Sequence, residues 1–585
     1  MLRRTLTVAL LLAALTSCKE EIQIPVDPPE ARADYRRTAV DTPISFDLRD
    51  NDYDPTAEAL TVTAVGTPSH GTVLLSGGGS VTYTPDLGYE GGDSFGYTLV
   101  DASGYASQGK ASISVGTSST RVVYLSNQDD YYTQQLYLAD TALPDESFVL
   151  NHRLQLTSGQ TTSTQRVFFY DLSADGLTAA YTIDDDTGGV DIYVLALSDP
   201  GTVTNLTQYP PQKTVSANAP IKFSPDGQRI LYLGNEATGE FELFMVALAS
   251  PGVTTRIGPA FDSTQSLSLY EWSADGTKVL FQRNDTDGGS GGLSQNEVYV
   301  VDVANPSVET KLSGTATTSN GVGVLRFTRA STGTLLAYLA VDDTTDVADV
   351  YLVDYAAPAT PVKMNGPVVG TGDGVFDIRF SADASRLYYV SQEHDQDQSE
   401  LYTVAVAAPG VTTRLTPPRV TASPIVEWDV GTDGTFVTFT REDLVDGQAD
   451  LYRVDLANPG VAVHLNPALP TNADVVITRL DAIEPRQAIF MANLESTTLG
   501  LYGLYVMDVD VPEVATELGP KLSISVGLDA VRSLDGNKVL RIADPGNRGA
   551  RSLSWVDLSS PADLHRLTPE RLGGHQVQFG YTQVP

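Results

Sequence analysis

From residue 118 onward the sequence repeats itself, and a chain with a regular repeat must stack copies of one structural unit. The clearest copies open with a turn: Leu172-Ser173-Ala174-Asp175-Gly176, Phe223-Ser224-Pro225-Asp226-Gly227, Trp272-Ser273-Ala274-Asp275-Gly276 and Phe380-Ser381-Ala382-Asp383. An apolar run follows each turn, as in Arg229-Ile230-Leu231-Tyr232-Leu233. After a polar loop comes a second run, such as Asp191-Ile192-Tyr193-Val194 or Asp349-Val350-Tyr351-Leu352. A short strand such as Thr255-Arg256-Ile257 or Thr413-Arg414-Leu415 closes the unit. Four short strands in about fifty residues make a propeller blade. The two central strands recur nine times, starting near residues 121, 178, 229, 278, 334, 386, 435, 487 and 537. Nine blades are therefore expected, or seven to eight if a degenerate copy such as that around 478–515 is irregular. The first copy lacks an innermost strand, and Gln576-Val577-Gln578-Phe579-Gly580-Tyr581 at the other end of the chain can supply it. Such a clasp removes the open edges of a split ring.

These units resemble propeller repeats of the TolB type, on the strength of Phe223-Ser224-Pro225-Asp226-Gly227 and Asp191-Ile192-Tyr193. The resemblance implies a fold and no particular chemistry. Asp and Gly make the turn, the aromatic before it packs between blades, and the Tyr of the third strand fills the sheet interface.

Residues 34–117 read as a separate all-β unit. Short alternating runs (Ile44-Ser45-Phe46, Leu60 to Val65, Val81-Thr82-Tyr83, Phe95 to Leu99, Ala111 to Val115) are separated by Gly, Pro, Asp and Ser. The series Asp50-Asn51-Asp52-Tyr53-Asp54, Pro68-Ser69-His70-Gly71, Tyr83-Thr84-Pro85 and Gly92-Asp93-Ser94-Phe95 resembles bacterial cadherin-like immunoglobulin domains. The resemblance implies a spacer or docking module. It also implies a calcium site built on Asp50, Asn51, Asp52 and Asp54, with Asp93 and Asp101 from later strands; calcium takes six to eight oxygen ligands. An Asp/Asn-rich turn satisfied by its own backbone is the alternative.

Residues 1–17 have the form of an export signal: Arg3 and Arg4, an apolar run from Leu6 to Leu15 too short to span a bilayer, then Leu15-Thr16-Ser17-Cys18. This end resembles the bacterial lipobox, which implies cleavage before Cys18 and lipid on its thiol. Cys18 is the only cysteine, so it has neither a disulfide partner nor a thiol companion for metal. Residues 18–33, rich in proline and charge, read as a tether. The expected location is the bacterial cell envelope, anchored by lipid at the outer membrane. A net charge of −36 repels phosphate and excludes nucleic acid as a partner.

Chemistry-bearing constellations are few. Acidic clusters (Asp184 to Asp186, Asp285 with Asp287, Asp342-Asp343 with Asp346, Asp395 with Asp397) recur between second and third strands and read as a solvated rim. Gly288-Gly289-Ser290-Gly291-Gly292 matches a nucleophile elbow in letters only, since no strand–helix turn surrounds it. The histidines at 70, 152, 394, 464, 565 and 575 lack zinc spacing. The expectation drawn from these absences is a monomeric, non-catalytic binding or scaffold protein for an envelope or extracellular protein or glycan. The alternatives are a propeller enzyme acting on glycans or peptides, or a TolB-like transport accessory. Paired inward-facing carboxylates at the channel mouth would favour the enzyme; a lining of small apolar and hydroxyl residues would exclude it.

Overall fold

The computed structural model describes residues 28–584 apart from 117–118, 128–133, 152–165, 185–188, 211–212, 237–239, 262–264, 287–293, 315–322, 342–346, 369–373, 394–398, 418–424, 432, 443–447, 471–474, 481–485, 495–500, 520–521, 524–529, 534–536, 544–551 and 569–576. The described elements are strands and one short 3-10 turn at Gly77–Gly79.

The N-terminal alternation folds as two facing sheets. One runs in the order Asp34–Thr38, Ala106–Val115, Gly91–Val100, Thr61–Val65, its first pair parallel. The other holds Ile44–Asp47, Ser80–Pro85 and Gly71–Ser76. Period two sends Phe95, Tyr97 and Leu99 inward against Val62, Val81, Tyr83 and Ile113, which makes an immunoglobulin-like sandwich.

Nine further sheets follow among the described residues. Blade 1 holds Arg121–Ser126, Gln135–Asp140 and Phe148–Val149; blade 2 holds Val167–Leu172, Thr178–Asp184, Val190–Ala196 and Asp199–Asn205. Blades 3 to 9 lie at 214–256, 266–311, 324–363, 375–414, 425–464, 475–517 and 530–566. In blades 2 and 4–9 the strands hydrogen-bond in sequence order, the first innermost.

The clasp forms. Val577–Val584 pairs antiparallel with Arg121–Ser126 as the innermost strand of blade 1. Val122, Tyr124, Tyr137 and Ala139 pack against Leu540, Ile542, Leu553 and Leu567 of blade 9. A backbone bond links successive blades: Gly252 N–H to Leu206 O, Gly410 to Met364, Gly460 to Leu415, Glu513 to Leu465. Asp145 N–H makes a similar bond across the seam, to Arg566 O, one residue before the equivalent position Leu567.

Each blade also carries a cross-strand aromatic or apolar pair where its central strands face one another. Tyr124/Tyr137, Tyr181/Tyr193, Tyr338/Tyr351 and Tyr389/Tyr402 stack at 5.4–5.9 Å between ring centres. Leu540 and Trp555 take the place in blade 9.

The immunoglobulin-like unit is not held apart as a spacer would be. Tyr35 joins the cluster of Leu143, Phe148 and Leu150 in blade 1, and its hydroxyl donates to Asp140 at 2.9 Å. Ser112 and Lys110 reach Glu146, and the buried Arg36 pairs with Asp50 at 3.2 Å and with Asp199 of blade 2 at 3.7 Å. Apolar burial together with buried charge fixes the unit on the first two blades.

Candidate active site in the propeller channel

Two residues before the turn serine, the innermost strand carries a charged side chain in several blades: Asp171, Lys222, Glu271 and Arg379, with Asp429 at the same place in blade 7. That strand has neighbouring blades on both faces and its free edge toward the ring axis, so these side chains crowd the channel wall. At the end where the turns lie, blades 2 to 5 enclose a cavity of about 570 Å³. Asp171, Lys222, Glu271 and Arg329 supply its charge, Tyr170 and Trp272 its aromatic surface.

The two carboxyls differ in how they are held. Asp171 Oδ1 accepts the Leu172 N–H at 2.9 Å, and its Oδ2 accepts the Phe223 N–H of the next blade at 2.7 Å. Glu271 faces Arg329 Nε at 3.6 Å. Burial pushes both carboxyls above the usual range; two backbone N–H groups pull Asp171 back, and the Arg329 and Lys222 charges pull Glu271 back. Trp272 Nε1 donates to the Lys222 carbonyl at 3.1 Å, and the Lys222 amine lies over the Tyr270 ring. Further round, Arg379 pairs with Asp429 at 2.7 Å over the Trp428 ring, and Arg326 pairs with Asp377 at 2.8 Å. A cavity with two desolvated carboxyls and two cations can transfer protons and offset developing charge.

The residues singled out for calcium are engaged in part by protein groups. Asp50 pairs with Arg36, and Asn51 donates to the Ala33 carbonyl. Asp52 accepts from Arg32 N–H and the Tyr97 hydroxyl. Asp54 Oδ1 accepts from Thr56 and Glu58 N–H, while Asp93 accepts from Ser69 and His70 N–H and from the Tyr83 hydroxyl. Asp101 caps its own turn through Tyr105 N–H. Among the described residues no three His, Cys, Asp or Glu side chains form a group that could hold a metal. One oxygen each of Asn51, Asp54 and Asp101 is nevertheless buried without a hydrogen-bond partner, as are Glu58 Oε2 and both carboxylate oxygens of Asp34.

Cys18, the Gly288–Gly292 string, His152, His394, His575 and all of the acidic loop clusters except Asp184 and Asp285 lie outside the described residues. His70 stacks on Tyr89 and His565 on Trp555, while His464 meets Asp450 at 3.2 Å. The sequence reading passed over Asp171 and Glu271, although their place two residues before each turn serine is visible in the repeat.

Residues 26–114 match the family of bacterial Ig domains. The N-terminal sandwich is of the bacterial Ig type. No curated protein matches the chain. Solved structures similar to it include dipeptidyl peptidase 4 of Porphyromonas gingivalis, at 13% identity and a TM-score of 0.46, over 72% of this chain and 63% of that one. Prolyl oligopeptidase B of Galerina marginata is similar at 11% identity and a TM-score of 0.37, over 62% and 51%. A puromycin-hydrolyzing peptidase of Mycobacterium tuberculosis is similar at 13% and 0.35, over 70% and 53%. The chain thus spans about half to two thirds of these proteins' lengths, and the likeness is one of fold alone. The expectation of a non-catalytic scaffold, and not an enzyme, is corrected here. The solved structures it is similar to are peptidases by name, and one cavity holds the carboxyls of Asp171 and Glu271 together with Lys222 and Arg329.

Proposed function

We propose that this protein is a propeller hydrolase acting on a peptide or glycan chain at the turn-side mouth of its channel. The observation that carries the reading is the pair Asp171 and Glu271, both desolvated, in one cavity with Lys222 and Arg329. Glu271, whose burial favours the protonated form, serves as the acid. Asp171, fixed by two backbone N–H groups, serves as the base. Water adds to the electrophilic carbon and gives a proton to Asp171, while Glu271 gives its proton to the departing amine or alcohol. Lys222 and Arg329 offset the negative charge that gathers on the reacting oxygen.

The full chain should release product from a panel of fluorogenic peptides and oligosaccharides. Glu271→Gln and Asp171→Asn should each lower kcat by about 10²–10⁴ with the fold intact by circular dichroism. Activity should fall on the alkaline side as Glu271 loses its proton. Hydrolysis that is equal in wild type and both variants, or no hydrolysis across the panel, sinks the reading.

The same proposal places the protein in the cell envelope, held by lipid on Cys18 after removal of residues 1–17. Its support is the lipobox-like Leu15-Thr16-Ser17-Cys18 and a chain with one cysteine. Labelled palmitate should mark wild type and spare Cys18→Ala; equal labelling removes the anchor.

A further inference from the structure

Blade 9 departs from the repeat at one place. In other blades the first ring of the cross-strand pair lies eight residues after the turn serine: Tyr181 after Ser173, Phe281 after Ser273, Tyr389 after Ser381. Eight residues after Ser533 stands Arg541, and its register partner is Ser554, where those blades have Tyr193, Tyr299 and Tyr402. Leu540 and Trp555 face one another one residue off this register. Two residues before the third-strand tyrosine, Glu297 and Asp349 pair with the fourth-strand Lys311 and Lys363 at 2.7 and 2.6 Å. Blade 9 keeps that cation as Arg566, in register with Ser554 as Lys311 is with Tyr299, but carries Ser552 in place of the acid.

An aromatic pair and an acid are thus exchanged for Arg541 and two serines. A cavity of about 430 Å³ lies there, lined by Arg541, Ser552, Ser554, His565 and Arg566, with the exposed Asp145 from blade 1. Residues in register on adjacent strands leave the same face of a sheet, so Arg541, Ser554 and Arg566 form one row, a hydroxyl between two guanidiniums. Arg541 is fully buried, and its Nη1 donates to the Leu518 carbonyl at 3.0 Å, which fixes the group. Burial pulls Arg541 down to about 10 and Glu517 pulls it back, so its charge gains from an anion brought close. We infer that this cavity binds a small oxyanion, a phosphate or carboxylate group held by Arg541 and Arg566 with hydroxyls from Ser552 and Ser554, in the place of the acid that blade 9 lacks. A chain of net charge −36 repels anions at large, so one that collects an anion does so at a site built for it. The walls come from blade 9 and from blade 1, so the bound anion stabilises the closed ring. The inference is independent of the chemistry proposed for the channel.

The test is calorimetric titration of the full chain with inorganic phosphate and, separately, with succinate, in chloride at fixed ionic strength. Saturable binding of either anion supports the site, and the tighter of the two names the group it takes. Ser552→Glu supplies the missing acid from within and should weaken that binding by about tenfold or more. Arg566→Gln should weaken it as well, and in wild type alone the bound anion should raise the melting temperature. No saturable binding of either anion, or binding that a folded variant of either kind leaves unchanged, overturns the inference.

Discussion

Asp52 shows how one carboxyl can be turned from solvent chemistry to structural duty. It accepts the Arg32 N–H at 2.8 Å and the Tyr97 hydroxyl at 3.0 Å, and burial pushes it up to about 7. Asp34 beside it is 1% exposed, and burial drives its carboxyl well above the usual range too. A carboxyl with a raised folded-state pKa binds its proton more tightly when folded. Its contribution is complete below the unfolded value near 4 and is lost as pH rises through the folded value near 7. The thermal stability of the Ig unit should therefore fall as pH rises from 4 to 7. Asp52→Asn, whose amide oxygen can still accept both bonds, should flatten that slope and raise the midpoint at pH 8. An unchanged slope would place the titration elsewhere.

Elements repeat because a few local devices repeat. In the turns, Ser173, Ser273 and Ser381 donate to the aspartate two residues on, and the hydroxyl also accepts a strand N–H. These bonds hold Asp275 and Asp383 down to about 2. The next residue needs positive φ: Gly176, Gly227 and Gly276 supply it at 66–68°, but blade 6 forces Ala384 to 57°. Ala384→Gly should thus stabilise the protein by roughly 0.5–1 kcal/mol, relief of strain exceeding the added chain entropy; a lower denaturation midpoint would refute this.

A second device joins the third strand to the loop after the fourth. The strand opens with a buried acid, and sixteen residues later a hydroxyl or amide bonds to it and accepts a strand N–H, as Asn365 does for Asp349 and Val350 at 2.8 Å. Asn466 with Asp450 and Leu451, and Thr416 with Glu400 and Leu401, repeat it. Asn365→Ala strips one bond from the buried acid and leaves the Val350 N–H unpaired, a cost of about 2 kcal/mol readable by urea denaturation. A change within a few tenths would mean the pair is incidental. The sixteen-residue spacing is visible in the sequence and went unread, because only the folded blade shows that both ends of the interval meet.

At the scale of the whole molecule, the ring is closed by hydrogen bonds, not by covalent chemistry. Removing residues 576–585 would bare the edge of Arg121–Ser126 along a strand buried on both faces. The truncated chain should self-associate and melt at a lower temperature, as measured by light scattering and calorimetry. A monomer with the parent's midpoint would show that the clasp is dispensable.

The sequence by itself determined the repeat, the turn chemistry, the nine units and the pairing of the two termini, because those depend on residues near one another or on periodicity. It also determined the Ig-type alternation of the first domain. Only the tertiary structure decided which charges share a cavity, since Asp171, Lys222, Glu271 and Arg329 come from four blades. It also decided that the Ig unit packs on the ring through Tyr35. Both are long-range matters: a pattern of period two says that a side chain leaves the sheet, but not what it meets.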